Sequence, residues 1–178
     1  MIEKTISSKL LLKGKFLDFI EDIIEIENHD GKHYTRQYVV HPGGVCVVPI
    51  LDDKRIVLVK QFRKPLEKTI LEIPAGKIDS HEPDTLDTAQ RELREETGYT
   101  AENWTYLGEI YPCPGYSTEI LYIYVATGLK AGKQDLDEGE VVETEILSLP
   151  EITEKINSGE IKDSKTISAV FMALKYLN

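Results

Sequence analysis

Residues 84–97 carry a helical pattern in a chain that otherwise reads mostly as strands, and this one segment restricts the possible folds more than any other. Leu86, Ala89 and Leu93 recur at steps of three and four, Asp84 is placed to cap the first turn, and Gly98 supplies a C-terminal stop. Each helical residue turns about 100°, so Glu92, Glu95 and Glu96 fall within an arc of roughly 100° beside the apolar stripe. Three carboxylates therefore share one face. Like charges at i,i+4, as at Glu92 and Glu96, are unfavourable by about 0.2–0.5 kcal/mol, and acids near a helix C-terminus oppose the macrodipole. A divalent cation would turn that repulsion into coordination, because hard oxygen donors on a rigid face are what Mg²⁺ or Mn²⁺ requires. The alternative is a solvated face on which Arg91 and Arg94 offset the acids.

The segments around this helix alternate or run apolar over strand lengths. Residues 15–28 and 33–40, joined by the turn signal Asp30-Gly31, predict an N-terminal β-hairpin. After Pro42-Gly43-Gly44, residues 45–51 and 55–62 are two apolar β-branched runs split by Asp52-Asp53-Lys54, which predicts a second hairpin of two central strands. Residues 69–74 form a short strand that gives way at Ala75-Gly76 to a polar loop through Pro83. Further strands are predicted at 104–111, 121–126 and 143–149, and a short helix around Ile152 and Ile156. A last helix begins near Lys165, with Ile167, Val170, Phe171, Leu174 and Leu177 on its inner stripe. A helix inserted among strands and helices at the end predict an α/β fold, a mixed sheet between helical layers. The expected division is a hairpin subdomain over 1–40 and a catalytic domain over 41–178.

With 178 residues, 41% of them hydrophobic, the chain can bury a full core. Its net charge of −10, from 31 acidic and 21 basic residues, argues against nucleic acid as a partner, since phosphate neutralisation needs clustered Lys and Arg. The first residues, MIEKTISSKLLLKGKF, carry too short an apolar run for a signal-peptide core and lack a small-residue cleavage site. No run of about 18 apolar residues follows, so no membrane association is expected. Cys46 and Cys113 lie apart without CxxC spacing, which suggests neither a zinc site nor a disulfide framework. A cytoplasmic location is expected.

Arg91-Glu92-Leu93-Arg94-Glu95-Glu96-Thr97-Gly98, followed by Tyr99, resembles the second half of the Nudix box, Arg-Glu-apolar-x-Glu-Glu-x-Gly-apolar, at every fixed position. Gly76 and Glu82 keep the spacing of its first half. Eight residues, 83–90, stand between Glu82 and Arg91 where the family has seven. An insertion within the helix would rotate its face by about 100°, so the extra residue belongs in the loop 81–83, which leaves Glu92, Glu95 and Glu96 in register. His41-Pro42-Gly43-Gly44-Val45, Lys60-Gln61-Phe62-Arg63, Glu72-Ile73-Pro74-Ala75-Gly76 and Cys113-Pro114-Gly115-Tyr116 are similar to segments of the ADP-ribose pyrophosphatase branch, which has a proline sixteen residues after the box glycine, as Pro114 is after Gly98.

This resemblance implies a Nudix-type α/β/α sandwich with a mixed β-sheet, preceded by the N-terminal hairpin. It implies hydrolysis of the pyrophosphate of ADP-ribose to AMP and ribose 5-phosphate with Mg²⁺, or Mn²⁺, as cofactor. Nucleotide sugars such as ADP-glucose or GDP-mannose are the alternative substrates, and a non-catalytic ADP-ribose-binding module is the alternative role. By resemblance, Glu92, Glu96, Glu95 and the Ala75 carbonyl are the metal ligands, and Arg91 holds a carboxylate in place. The acidic loop around residues 135–140 offers Glu140 first and Glu138 second as a mobile catalytic acid, or else is a solvated turn. Arg63 is a phosphate partner, because a guanidinium engages two oxygens at once. Arg36, reaching across a subunit boundary, Pro114 and Gly115 complete the substrate contacts, Arg63 and Arg36 each being alternatively an ordinary surface arginine. Phe16, Tyr34 and Tyr38 are aromatic enough to stack on a base or simply to pack. A homodimer built through the hairpin is expected.

Overall fold

The computed structural model describes residues 2–29, 31–79 and 84–177. Asp30, His81 and Glu82, and with them the position assigned to the extra loop residue, lie outside the described residues. The chain divides into two compact units, Met1–Gly43 with Tyr111–Ile120, and Gly44–Ile110 with Leu121–Asn178.

In the first unit, β1 (Glu3–Lys13), β2 (Asp18–Ile26) and β3 (His33–Val40) form an antiparallel sheet in that order. β2 and β3 are the expected hairpin, with Asp18 opposite Val40 and Glu25 opposite His33. β1 is an addition to the sequence reading. Its residues are all exposed, so backbone pairing to β2 orders it and no apolar alternation marks it. The segment Tyr111–Ile120 joins this unit at Val39, whose N–H donates to Tyr116 O (2.8 Å) and whose carbonyl accepts from Thr118 N–H (3.0 Å).

The second unit holds β4 (Gly44–Pro49), β5 (Ile56–Arg63), β6 (Lys68–Glu72), β7 (Ala75–Lys77), α1 (Thr85–Thr97), β8 (Tyr99–Ile110), β9 (Leu121–Ala131), β10 (Val142–Leu147), α2 (Leu149–Asn157), α3 (Ser164–Met172) and α4 (Leu174–Leu177). One sheet runs β7-β4-β9-β8, with β4 parallel to β9 and the other pairs antiparallel, and the other runs β10-β5-β6. β4 is covered on both faces, as its unbroken apolar run requires. Val45 and Val47 pack with Ala89 and Leu93 of α1, while Cys46 and Val48 pack with Leu58, Ile152, Ala169 and Val170. This is the expected α/β/α arrangement with a mixed sheet.

Several local expectations are corrected. β4 and β5 are both central strands but form no hairpin: a tight turn joins them (Lys54 N–H to Leu51 O, 2.9 Å), yet only the Ile50–Ile56 bridge connects them before they enter different sheets. Ala75–Lys77, expected as loop, pairs with β4 as β7. β8 starts at Tyr99, directly after the helix stop, and β10 ends at Leu147 so that Leu149 opens α2. The last helix breaks after Met172, and Phe171 is 73% exposed rather than on the inner stripe.

Candidate metal and diphosphate site

α1 begins where the Asp84 carboxylate accepts from Leu86 N–H (2.8 Å) and ends where Gly98 adopts φ 75°. Its buried stripe of Ala89 and Leu93 fixes its rotation and turns Glu92 and Glu96 onto the backbone of β7. The Glu96 carboxylate, 3% exposed, accepts from Ala75 N–H at 3.0 Å. Glu92 lies so close to Gly76 that a Cβ there would overlap its carboxylate, so this contact requires glycine. These acids are therefore not a solvated face. Burial pushes Glu92 up to about 7, against the pull of Arg91, and Glu96 up to about 8, against the Ala75 N–H, with Glu92 and Glu72 raising it further.

Arg91 binds both neighbours, Glu95 through Nη1 (2.6 Å) and Glu92 through Nη2 (2.9 Å), so it bridges two of the box acids. Among the described residues no three Asp, Glu, His or Cys side chains form a ready-made cation cage. Mg²⁺ does not need one, because it keeps several waters and draws on one or two carboxylates plus substrate phosphate. Glu96, held by the Ala75 N–H, and Glu92, set against Gly76 and paired with Arg91, fit that demand.

The loop after β9 is tied to the end of α1. The Gln134 side-chain amide donates to Glu96 O (2.5 Å) and Val142 O (3.3 Å), and Asp135 N–H donates to Glu95 O (3.2 Å). Beyond these ties Glu138 and Glu140 are exposed, in a turn closed by Glu140 N–H to Asp137 O (3.0 Å), and the Glu140 charge raises the Glu92 pKa.

Arg63 reaches the wholly buried Glu72 through Nε (2.7 Å). Burial pulls its guanidinium down, but Glu72 more than reverses this and holds it above its ordinary value. Lys165 binds the other Glu72 oxygen and also Asp163 (3.0 Å), while Thr166 Oγ1 donates to Asp163 (2.6 Å) and accepts from Ile73 N–H (2.9 Å). Sequence reasoning missed Gln134, Lys165, Asp163 and Thr166. It met Glu72 only as part of a motif, although a glutamate inside the apolar strand around 69–74 is itself a sign of a buried charge.

In the first unit, Arg36, Pro114 and Gly115 line one cleft of about 370 Å³ with Asp22 and Tyr38. Arg36 is paired with Glu3 (2.5 Å), and Tyr38 donates to Asp22 (3.1 Å). Phe16 is 52% exposed and meets His41 edge-on, and Tyr34 meets His29 in the same way.

A buried and a half-buried carboxylate on a helix, set against the backbone of the preceding strand and followed by an acidic loop, suit a cation-assisted hydrolase of phosphate anhydrides. The chain belongs to the NUDIX domain family, whose pattern matches residues 40–169. It is 42% identical over 176 residues to the "ADP-ribose pyrophosphatase" of Bacillus subtilis (strain 168), covering 97% of this chain and 94% of that protein. It is also 44% identical over 170 residues to the "Methanol dehydrogenase activator" of Bacillus methanolicus, covering 94% of this chain and 90% of that protein. A solved structure described as "ADP compounds hydrolase" superposes with a TM-score of 0.86 at 23% identity, covering 99% of this chain and 95% of that one, which establishes the shared fold.

Proposed function

We propose that this Nudix hydrolase cleaves the pyrophosphate of ADP-ribose, adding water to give AMP and ribose 5-phosphate, with Mg²⁺ as cofactor and Mn²⁺ as a substitute. The observation that carries the reading is the placement of the buried Glu96 and the half-buried Glu92 together against Ala75-Gly76, an arrangement that is costly for two neighbouring carboxylates and that a cation would relieve. The choice of ADP-ribose follows the full-length similarity to the ADP-ribose pyrophosphatase.

Glu92, Glu96 and the Ala75 carbonyl hold the cation, with Glu95 as a further ligand kept in place by Arg91. A cation held there would supply charge neutralisation for the phosphates and a more acidic attacking water. Glu140 accepts the proton of the attacking water, Glu138 being the second choice. The influence of Glu140 on Glu92 supports that order. Arg63 binds diphosphate oxygens, and Arg36, Pro114 and Gly115 contact substrate from their own cleft. The protein acts in the cytoplasm as a homodimer assembled through the N-terminal sheet, on whose outer strand Ile6, Leu10 and Leu12 are exposed. Among the described residues no helix is long and apolar enough to cross a membrane.

The test is incubation with ADP-ribose, ADP-glucose and GDP-mannose in the presence of Mg²⁺, with products separated by chromatography. AMP and ribose 5-phosphate formed fastest from ADP-ribose support the reading. Preference for a nucleotide sugar would change the substrate, and binding without turnover at any divalent metal would refute catalysis.

A further inference from the structure

Glu72 presents two oxygens to two cations. Oε1 accepts from Arg63 Nε (2.7 Å), and Oε2 is held by Lys165. An arginine beside a free carboxylate normally closes a fork-to-fork pair, with two parallel N–H···O bonds that engage both oxygens. Here the second oxygen is occupied, and only Nε is drawn inward. Glu72 is wholly buried while the Arg63 side chain is 37% exposed, so Arg63 bridges the buried network and solvent.

Lys165 is an unusual residue for its place. It lies in the first turn of α3, where the helix dipole disfavours a cation, and its side chain is only 14% exposed. Burial alone would lower its ammonium pKa, and Glu72 and Asp163 more than reverse this. Its seat is fixed by two carboxylates, Glu72 and Asp163, and the second is itself braced. Asp163 Oδ2 binds Lys165 Nζ (3.0 Å) and accepts from Thr166 N–H (2.9 Å) and Thr166 Oγ1 (2.6 Å), and Thr166 Oγ1 in turn accepts from Ile73 N–H (2.9 Å), the residue next to Glu72.

We propose that Lys165 is a positioning residue for Arg63: by occupying the second oxygen of Glu72 it prevents a fork-to-fork Arg63–Glu72 pair and keeps the terminal nitrogens of Arg63 outward for the substrate diphosphate. The proposal rests on the reading that Arg63 binds diphosphate, and it assigns Lys165 a part in substrate binding with no contact to the substrate.

The experiment is a steady-state cycle on the full chain with Mg²⁺ and ADP-ribose, comparing Lys165→Met, Lys165→Arg, Arg63→Ala and the double variant Arg63→Ala/Lys165→Met. Lys165→Met frees Oε2 and is expected to raise KM about tenfold with kcat within about twofold, the signature of lost uniform binding. Lys165→Arg, which again occupies Oε2, restores KM. In the Arg63→Ala background Lys165→Met adds no further rise, because no guanidinium is left to recapture. An unchanged KM in Lys165→Met, or effects that multiply independently in the double variant, overturns the proposal while leaving Arg63 as a substrate residue. An unchanged KM in Arg63→Ala overturns both. Should Lys165→Met fold poorly, Lys165→Ala, which likewise frees Oε2, enters the same cycle under the same criteria.

Discussion

Glu96 joins two properties at one side chain: it is a carboxylate proposed to bind a cation, and burial pushes its pKa up to about 8. Glu96→Gln keeps an acceptor for the Ala75 N–H but removes the charge, so kcat is expected to fall by about 10²-fold or more, measured with saturating ADP-ribose. Near-normal turnover would remove Glu96 from the metal site. Gly76 makes the complementary case. Gly76→Ala would push the Glu92 carboxylate off the strand and is expected to lower activity by at least about tenfold while raising the Mg²⁺ concentration needed for half activity, read from metal titrations. The three box acids are legible in the sequence because helical spacing alone puts them on one face. The seat of Glu96 and Glu92 is not, since it depends on Ala75-Gly76 being a paired strand rather than a loop. The Glu72–Lys165 pair is invisible there for a different reason: its partners are 93 residues apart and meet only through packing.

Among elements, α1 is the one whose start, end and inner stripe are all readable, because cap, stop and periodicity agree. The strands flanking it are readable where both faces are buried. β1 is not, having no buried face, and β4 and β5 mimic a hairpin because a short polar turn says nothing about which sheet each strand enters. The C-terminal stop of α1 also anchors the acidic loop. A Cβ on Gly98 would stand 2.9 Å from Gln134 N, and its φ of 75° already disfavours other residues. Gly98→Ala is therefore expected to destabilise the fold by about 1–2 kcal/mol from the left-handed backbone and to loosen the loop. Urea denaturation measures the first effect, and faster amide exchange at Asp135 measures the second. Unchanged stability in the Gly98→Ala variant would mean that the turn relaxes freely.

For the whole molecule, the raised carboxylates set a pH dependence. Below about pH 4.5 Glu92 and Glu96 are protonated in folded and unfolded chains alike and contribute nothing. As pH rises toward about 7 and about 8 the unfolded chain has released protons that the folded chain retains, so metal-free stability falls across this window. Thermal melts in EDTA should drop between pH 5 and 8, and Mg²⁺ should raise the melting temperature more at pH 8 than at pH 6. A melting temperature that is flat with pH and indifferent to Mg²⁺ would contradict a cation site. Dimerisation is expected as a sedimentation mass near twice 20.2 kDa, and a single-chain mass would remove it.

The first unit is assembled from two stretches of chain, because Val39 takes its partners from Tyr116 and Thr118. On a ribosome the three strands can pair early, but Val39 waits for its later partners until some eighty further residues have emerged. Trimming the gene after Gly43 would strand that later segment rather than liberate an independent catalytic body, so anyone minimising this protein has to re-engineer the excursion between β8 and β9 as well.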